Sequence, residues 1–177
     1  FESGCDEWSA DTGSWQVGTP TAGPSECHDG SAQCAGTVLD GDYGGNTDSR
    51  LISPSIGLSD VAVGEEIHLR FWQWFSYSSC DQGYVQISVY DDIAATWPEF
   101  VTISDSIENT SPWSLMDVDL TEYAGKVVKL AFYHTATTST YPTNCSASST
   151  GWYIDDIQII KKAPAFTGDF ESGWDEW

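Results

Sequence analysis

The chain has 177 residues, and its 6 lysines and arginines against 27 aspartates and glutamates give a formal net charge of −21. This chain has too few cations to neutralise nucleic-acid phosphates or to dock on an anionic membrane, and no apolar run reaches the ~20 residues of a membrane span. Hydrophobic residues still make up 40% of the chain, so a folded core is expected.

Short strand-like segments follow one another along the chain, and helical patterns are almost absent. The segment 66–77 is apolar on both faces, as in a central strand, whereas 84–90 alternates between apolar and polar residues. The other predicted strands cover 13–18, 34–39, 50–56, 100–103, 114–120, 126–134 and 151–160, with one helical turn at 120–126. Many short strands separated by turn residues predict an all-β fold, an antiparallel two-sheet jelly-roll sandwich.

The two ends of the chain carry nearly the same sequence, FESGCDEW at 1–8 and FESGWDEW at 170–177. We interpret 1–161 as the sandwich, 162–169 as a linker and 170–177 as the start of a following repeat or an assembly strand. The alternative is one protein with two copies of an edge strand. The large apolar residues of these ends are the predicted assembly residues: Phe1, Trp8, Phe170, Trp174 and Trp177.

Five cysteines are present, and none of them forms the C-x₂-C pair of a zinc site. Cys27 and Cys34 lie in one loop, which predicts a local disulfide. Cys80 follows a central strand and Cys145 precedes the last strand, so neighbouring strands would bring these two together. Cys5 is left over, either unpaired or intermolecular. Disulfides indicate an extracellular or cell-surface protein.

Several motifs, taken in order, resemble a known family. They are FESG at 1–4, the segment 13–56, LRFWQWF at 69–75, DQGYVQIS at 81–88, Trp97, WS at 113–114, DLTEYAGKVVKLAF at 119–132 and GWYIDDI at 151–157. Together they resemble the MAM-like, or choice-of-anchor-J-type, jelly-roll modules of large secreted bacterial proteins, which also occur behind immune-inhibitor-A-type metallopeptidases. The resemblance implies a β-sandwich accessory module that binds, spaces or stabilises.

The same resemblance implies one structural calcium or sodium ion where the opening segment meets the closing strand, held by Glu2, Asp155 and Asp156. Adjacent residues of a strand point to opposite faces, so one of the two aspartates is expected to face inward or to lie at an edge. A carboxylate there needs a cation or several hydrogen-bond donors, and oxygen ligands suit Ca²⁺. The alternative is that both aspartates only cap the sheet or bond loop amides. Asp40 and Asp42 are weaker candidates for extra ligands, because LDGDY does not continue into an EF-hand.

No catalytic set is recognisable. His28, His68 and His134 are scattered, and the motifs HExxH and GxSxG are absent. With this many acidic residues, carboxylate pairs arise by chance, so none marks a glycosidase. The chain is therefore not predicted to be an enzyme.

The leading interpretation is a structural repeat module, or a subunit of an extracellular filament, that assembles head to tail with further copies of itself through the FESGxDEW strand. One alternative is a carbohydrate-binding or adhesive module, with Trp72, Trp74 and Trp97 as the candidate sugar-binding rings. Large aromatic rings fill the core of a sandwich more often than they form a binding platform, and exposure in a row distinguishes the two. A further alternative is an accessory domain of a secreted protease.

Overall fold

A computed structural model of the chain describes residues 1, 7–138, 145 and 148–164. In these residues the strands are β1 (Ser9–Ala10), β2 (Gln16–Gly18), β3 (Cys34–Gly36), β4 (Thr47–Ile52), β5 (Ile56–Gly57), β6 (Glu66–Ser76), β7 (Gln82–Val89), β8 (Val101–Thr102), β9 (Thr110–Asp119), β10 (Val127–Ala136) and β11 (Gly151–Lys162). Short 3-10 helices cover His28–Gly30 and Thr121–Tyr123. Glu2, Cys5, Phe170, Trp174 and Trp177 lie outside the described residues.

The strands form two antiparallel sheets, which confirms the predicted all-β jelly-roll sandwich. The first sheet has the order β1-β4-β10-β7-β8, with β5 also paired to β10, and the second has the order β2-β3-β11-β6-β9. The two sheets pack face to face, so each has an inner face in the core and an outer face. The pairing of β6 with β11 runs from Gly151 opposite Ser76 to Lys162 opposite Glu66, and it forms the middle of the second sheet.

The predicted strand 50–56 is divided in two. It ends as β4 at Ile52 and resumes as β5 at Ile56. Pro54 lies in the gap, and a proline has no N–H to donate to a sheet. Ser53 fills part of the gap, because its Oγ accepts a hydrogen bond from the Leu130 N–H at 2.9 Å.

Aromatic side chains from both sheets form the centre of the core. Phe71 of β6 and Trp152 of β11 pack against Phe132 of β10, with ring centroids 4.9 and 5.6 Å from it. The indole N–H of buried Trp152 donates to Gln73 Oε1 at 3.1 Å, so its polar atom does not enter the core unpaired. This contact explains why a glutamine stands among apolar residues in β6.

Among the described residues, two disulfides are present, with the pairings expected from the sequence. Cys27 is bonded to Cys34 and Cys80 to Cys145, with Cα–Cα distances of 5.6 and 5.8 Å. The first closes a loop between β2 and β3, and the second joins the β6–β7 loop to the segment before β11. Because β6 and β11 are neighbours in the second sheet, the second disulfide links two loops at the same end of the sandwich.

A group of buried polar side chains lies near the second disulfide. Tyr43 donates its hydroxyl to Asp81 at 2.7 Å, and the Nδ1 atom of His134 lies 3.2 Å from the Tyr77 hydroxyl. His134 is 0% exposed, and its Nε2 atom has no hydrogen-bond partner in the described part of the chain. Burial lowers the pKa of His134 to about 4. This histidine is therefore neutral at pH 7.

We predict that His134 makes the protein acid-sensitive. The unfolded chain binds a proton at His134 below about pH 6.5, whereas the folded chain does so only near pH 4. The stabilisation that depends on neutral His134 is therefore complete above pH 6.5 and is lost as the pH falls toward 4. Between pH 7 and pH 4 the wild type should lose about 3 kcal/mol more free energy of unfolding than His134→Gln. Urea unfolding at several pH values measures this difference, and parallel curves for the two proteins would contradict it.

Candidate functional site

The outer face of the second sheet carries three tryptophans. Trp72 and Trp74 are two residues apart on β6, so they point to the same face about 6.6–6.8 Å from each other along the strand. Trp113 comes from the neighbouring strand β9. All three rings are half-buried. Trp72 and Trp74 therefore lie outside the inner core, although the sequence of β6 is apolar on both faces.

The disulfide loop between Cys27 and Cys34 folds over this face. The imidazole of His28 stacks on Trp72 with ring centroids 3.9 Å apart and an angle of 15° between the planes. The same imidazole meets Trp113 edge-on at 5.7 Å, and the Trp113 indole N–H donates to the Glu26 carbonyl at 3.2 Å. The loop and β9 are therefore joined across the tryptophans.

Asp155 and Asp156 hold the disulfide loop on the sheet. Asp155 is 2% exposed and accepts a hydrogen bond from Ser31 Oγ at 2.7 Å. Asp156 Oδ2 lies 2.8 Å from His28 Nδ1. Opposite faces were expected for the two aspartates, but the register shifts between Asp155 and Gln158 and Asp156 has a φ of +50°. This β-bulge interrupts the alternation, and both carboxylates contact the same loop.

Between the loop and the sheet lies a cavity of about 400 Å³, which we call the aromatic cavity. Its lining consists of Pro24, Ser25, Glu26, Cys27, His28, Asp29, Trp72, Trp74, Pro112 and Trp113. Small-molecule sites of this size commonly combine apolar and aromatic walls with a few polar groups that fix orientation. The aromatic cavity has that composition, since Glu26 and Ser25 lie among rings and prolines.

The third candidate ring, Trp97, lies elsewhere. It follows β7 in the loop that leads to β8 of the first sheet, with its ring centroid 5.1 Å from that of Tyr90. Lys129 Nζ lies 4.7 Å from the Trp97 centroid. The structure thus brings Trp72 and Trp74 together and separates Trp97 from them, while Trp113 and His28 are site residues that the sequence analysis did not single out as ring contacts.

The outer face of the first sheet is occupied by internal contacts. The guanidinium of Arg50 lies 4.3 Å from the Tyr133 ring centroid, and Arg50 donates to Gln86 Oε1 at 2.8 Å and to Asp11 Oδ2 at 3.1 Å. Burial of Asp11 opposes its ionisation, but the hydrogen bonds from Arg50 outweigh this effect and hold its pKa below the usual value. These Arg50 donors therefore bind Asp11, which directly follows β1, and Gln86 of β7.

The histidines and acids of the described residues form no recognisable metal centre. No group of three or more histidine, cysteine, aspartate and glutamate side chains in these residues is arranged to hold a metal ion. Asp155 and Asp156 already accept the hydrogen bonds described above, and Glu2 lies outside the described residues, so the calcium ligand set stays a prediction. Nor does the described part of the chain contain a helix long and apolar enough to cross a membrane.

We predict that Asp155 stabilises the loop and hence the wall of the aromatic cavity. Asp155→Ala removes the acceptor for Ser31 in a buried position, so the free energy of unfolding should fall by about 1–3 kcal/mol. Asp92→Ala is the matched control, because Asp92 is exposed, and it should change stability by less than about 0.5 kcal/mol. Thermal or urea unfolding measures both, and equal stabilities of the two variants would contradict the role of Asp155.

The architecture is that of a jelly-roll β-sandwich module with a ligand-sized cavity on one outer face. No family model matches the chain. Among curated proteins, it is similar to Bacillopeptidase F of Bacillus subtilis (strain 168), at 25% identity over 169 residues. The match covers 94% of this chain but 11% of that protein, so the chain spans only a small part of its relative.

Two solved structures of carbohydrate-binding modules share the fold. TmCBM61 in complex with β-1,4-galactotriose has a TM-score of 0.50 and 9% identity, and the match covers 88% of this chain and 87% of that chain. The CBM22-1–GH10 modules of Clostridium thermocellum xylanase 10B, complexed with xylohexaose, have a TM-score of 0.55 and 13% identity, with 93% and 28% of the two chains covered. At these identities the likeness concerns the fold alone.

Proposed function

We propose that this chain is a non-catalytic carbohydrate-binding module of a larger extracellular protein and that the aromatic cavity is its sugar site. The observation that carries the proposal is the convergence of Trp72, Trp74 and Trp113 on one cavity with polar Glu26 at its wall. Sugar rings present apolar C–H faces between hydroxyl groups, and such faces pack on indole rings while polar side chains bond the hydroxyls.

Three further findings support this assignment. The fold is shared with modules whose structures were solved with bound oligosaccharides. The similarity to one segment of Bacillopeptidase F favours an accessory domain within a long protein. The two disulfides of the described residues suit an oxidising compartment. A MAM-like module of a secreted bacterial protein would account for all three findings.

Head-to-tail assembly is a second candidate, favoured by one observation on the opening segment. Phe1 packs edge-on against Trp8 with centroids 5.9 Å apart, and Trp8 stacks on core residue Phe132 at 6.0 Å. The first copy of the repeated octapeptide therefore contributes rings to its own sandwich. The comparisons give no support to self-association, and the second copy lies outside the described residues, so we rank this role below sugar binding.

Removal of Trp113 tests the sugar site. We predict that Trp113→Ala weakens binding at least tenfold, which corresponds to about 1.4 kcal/mol, because one wall of the aromatic cavity is lost. The measurement is isothermal titration calorimetry with neutral polysaccharides, starting with xylans and β-1,4-galactans. Trp97→Ala is the matched control, since Trp97 is also half-buried but lies in the loop between β7 and β8 of the first sheet, and it should bind like the wild type. The proposal fails if the wild type binds no glycan, or if the two variants bind equally well.

The calcium ion is a separate prediction. If Glu2 joins Asp155 or Asp156 at a cation, a chelator such as EGTA should lower the melting temperature, and added Ca²⁺ should restore it by mass action. The double variant Asp155→Ala/Asp156→Ala, which removes both candidate aspartate ligands, should abolish this dependence. An unchanged melting temperature in EGTA would leave the two aspartates with the loop-anchoring role alone.

A further inference from the structure

We propose that the site has two adjoining sugar subsites, so that the module recognises an internal stretch of a neutral linear glycan rather than a single sugar. This inference rests on the proposed function. The second subsite is a cavity of about 290 Å³ on the same outer face, which we call the polar cavity. Arg70, Leu115, Asp156 and Gln158 line it, and it shares the stacked pair of His28 and Trp72 with the aromatic cavity.

The stacked pair is a common wall between the two cavities. His28 and Trp72 line both, whereas Trp74 and Trp113 line only the aromatic cavity and Gln158 only the polar one. Because Asp156 and Trp113 both contact His28, this wall is held from two sides. A ligand longer than one sugar unit can therefore contact both sides of a fixed ring pair.

The floor of the polar cavity is apolar although the surface around it is charged. Leu115 of β9 is the register partner of Trp72 and is 41% exposed. Together, the leucine side chain and the flat indole beside it form an apolar patch on the outer face. Such a patch suits the C–H face of a pyranose. An exposed leucine alone requires no explanation, but this one lines a cavity together with Trp72.

The rim of the polar cavity presents both donors and acceptors. Arg70 and Gln158 are register partners across β6 and β11, beside the bulge that displaces Asp156. Arg70 Nε lies 3.4 Å from Asp117 Oδ2 but has no hydrogen-bond partner in the described part of the chain. A sugar hydroxyl both donates and accepts, so guanidinium, amide and carboxylate groups at one rim match several hydroxyls at once.

The spacing along β6 favours a chain over a single unit. Arg70, Trp72 and Trp74 share one face, and each lies about 6.6–6.8 Å from the next. Once one sugar unit is bound on the aromatic side, the next unit reaches the polar side as an intramolecular event, so affinity rises without any change in either contact. The two cavities together therefore predict that affinity depends on chain length.

The electrostatics favour a neutral glycan. The polar cavity contains one arginine, which is already close to Asp117, and the aspartates Asp29 and Asp156. The chain as a whole carries a net charge of −21, and such a field repels polyanionic glycans. Uronate-rich polymers should therefore bind more weakly than neutral chains of the same length.

The test is calorimetric titration with xylo-oligosaccharides and β-1,4-galacto-oligosaccharides of one to six units, for the wild type and for Gln158→Ala. Gln158 is exposed, so its replacement leaves the core intact. We expect wild-type affinity to rise at least tenfold from one unit to three. Gln158→Ala should lose most of this gain and keep the single-unit affinity within twofold, whereas Trp113→Ala should weaken every length.

The possible failures are distinguishable. If oligosaccharides bind with the same affinity at every length, or if Gln158→Ala keeps the full gain, the two-subsite inference is overturned while the proposed function stands. If no glycan binds at any length, the proposed function is overturned and the inference with it. Stronger binding of oligogalacturonates than of the neutral series would overturn the assignment to neutral chains.

Discussion

The pairing of β6 with β11 determines both the core and the candidate site. Alternation along β6 sends Phe71 and Gln73 into the sandwich and Trp72 and Trp74 to the outer face. The partner strand completes the core with Trp152, whose indole N–H bonds Gln73. A shift of this register by one residue would expose the core aromatics and bury the candidate site, so the packing of the core and the geometry of the candidate site depend on the same ladder.

The loop closed by Cys27 and Cys34 converts an aromatic strand face into a groove with a wall on one side. By itself, a sheet face with two tryptophans is a flat platform. The loop adds a wall, and contacts of different kinds keep it in place: the disulfide, the contact of His28 Nδ1 with Asp156 Oδ2, and the hydrogen bond of Ser31 with Asp155. These contacts act together, because His28 also stacks on Trp72 of β6.

The parts of the fold that local patterns encode were predictable from the sequence. Alternating and β-branched segments located β6, β7, β10 and β11, and loop positions indicated both disulfide pairings. The division of the strand at Pro54 was missed, although proline itself was the available signal. The two extra residues at the end of β10 follow from sheet pairing with β4 rather than from a local pattern.

The site was only half predictable, and the reason is sequence separation. Trp72 and Trp74 were identified as candidate rings, but the contacts of His28 with Asp156 and of Ser31 with Asp155 join residues 128 and 124 positions apart. No local pattern reports such contacts. The bulge after Asp155 also overturned the expectation that adjacent aspartates diverge, because the positive φ of Asp156 is a property of the assembled sheet. Trp113 belongs to the WS motif at 113–114, and only the packing of β9 beside β6 gives it a role.

Strand β6 and the loop closed by Cys27 and Cys34 form different sides of the aromatic cavity, and this arrangement has an evolutionary consequence. Residues such as Pro24, Glu26 and Asp29 line the aromatic cavity but take no part in the hydrophobic core. Substitutions there would change the shape and charge of the cavity wall while the buried aromatics, the β6–β11 register and the disulfide remain unchanged. If the proposed sugar site is correct, such a module would diversify its recognition through a short loop, much as antibody domains vary their loops on a constant sandwich.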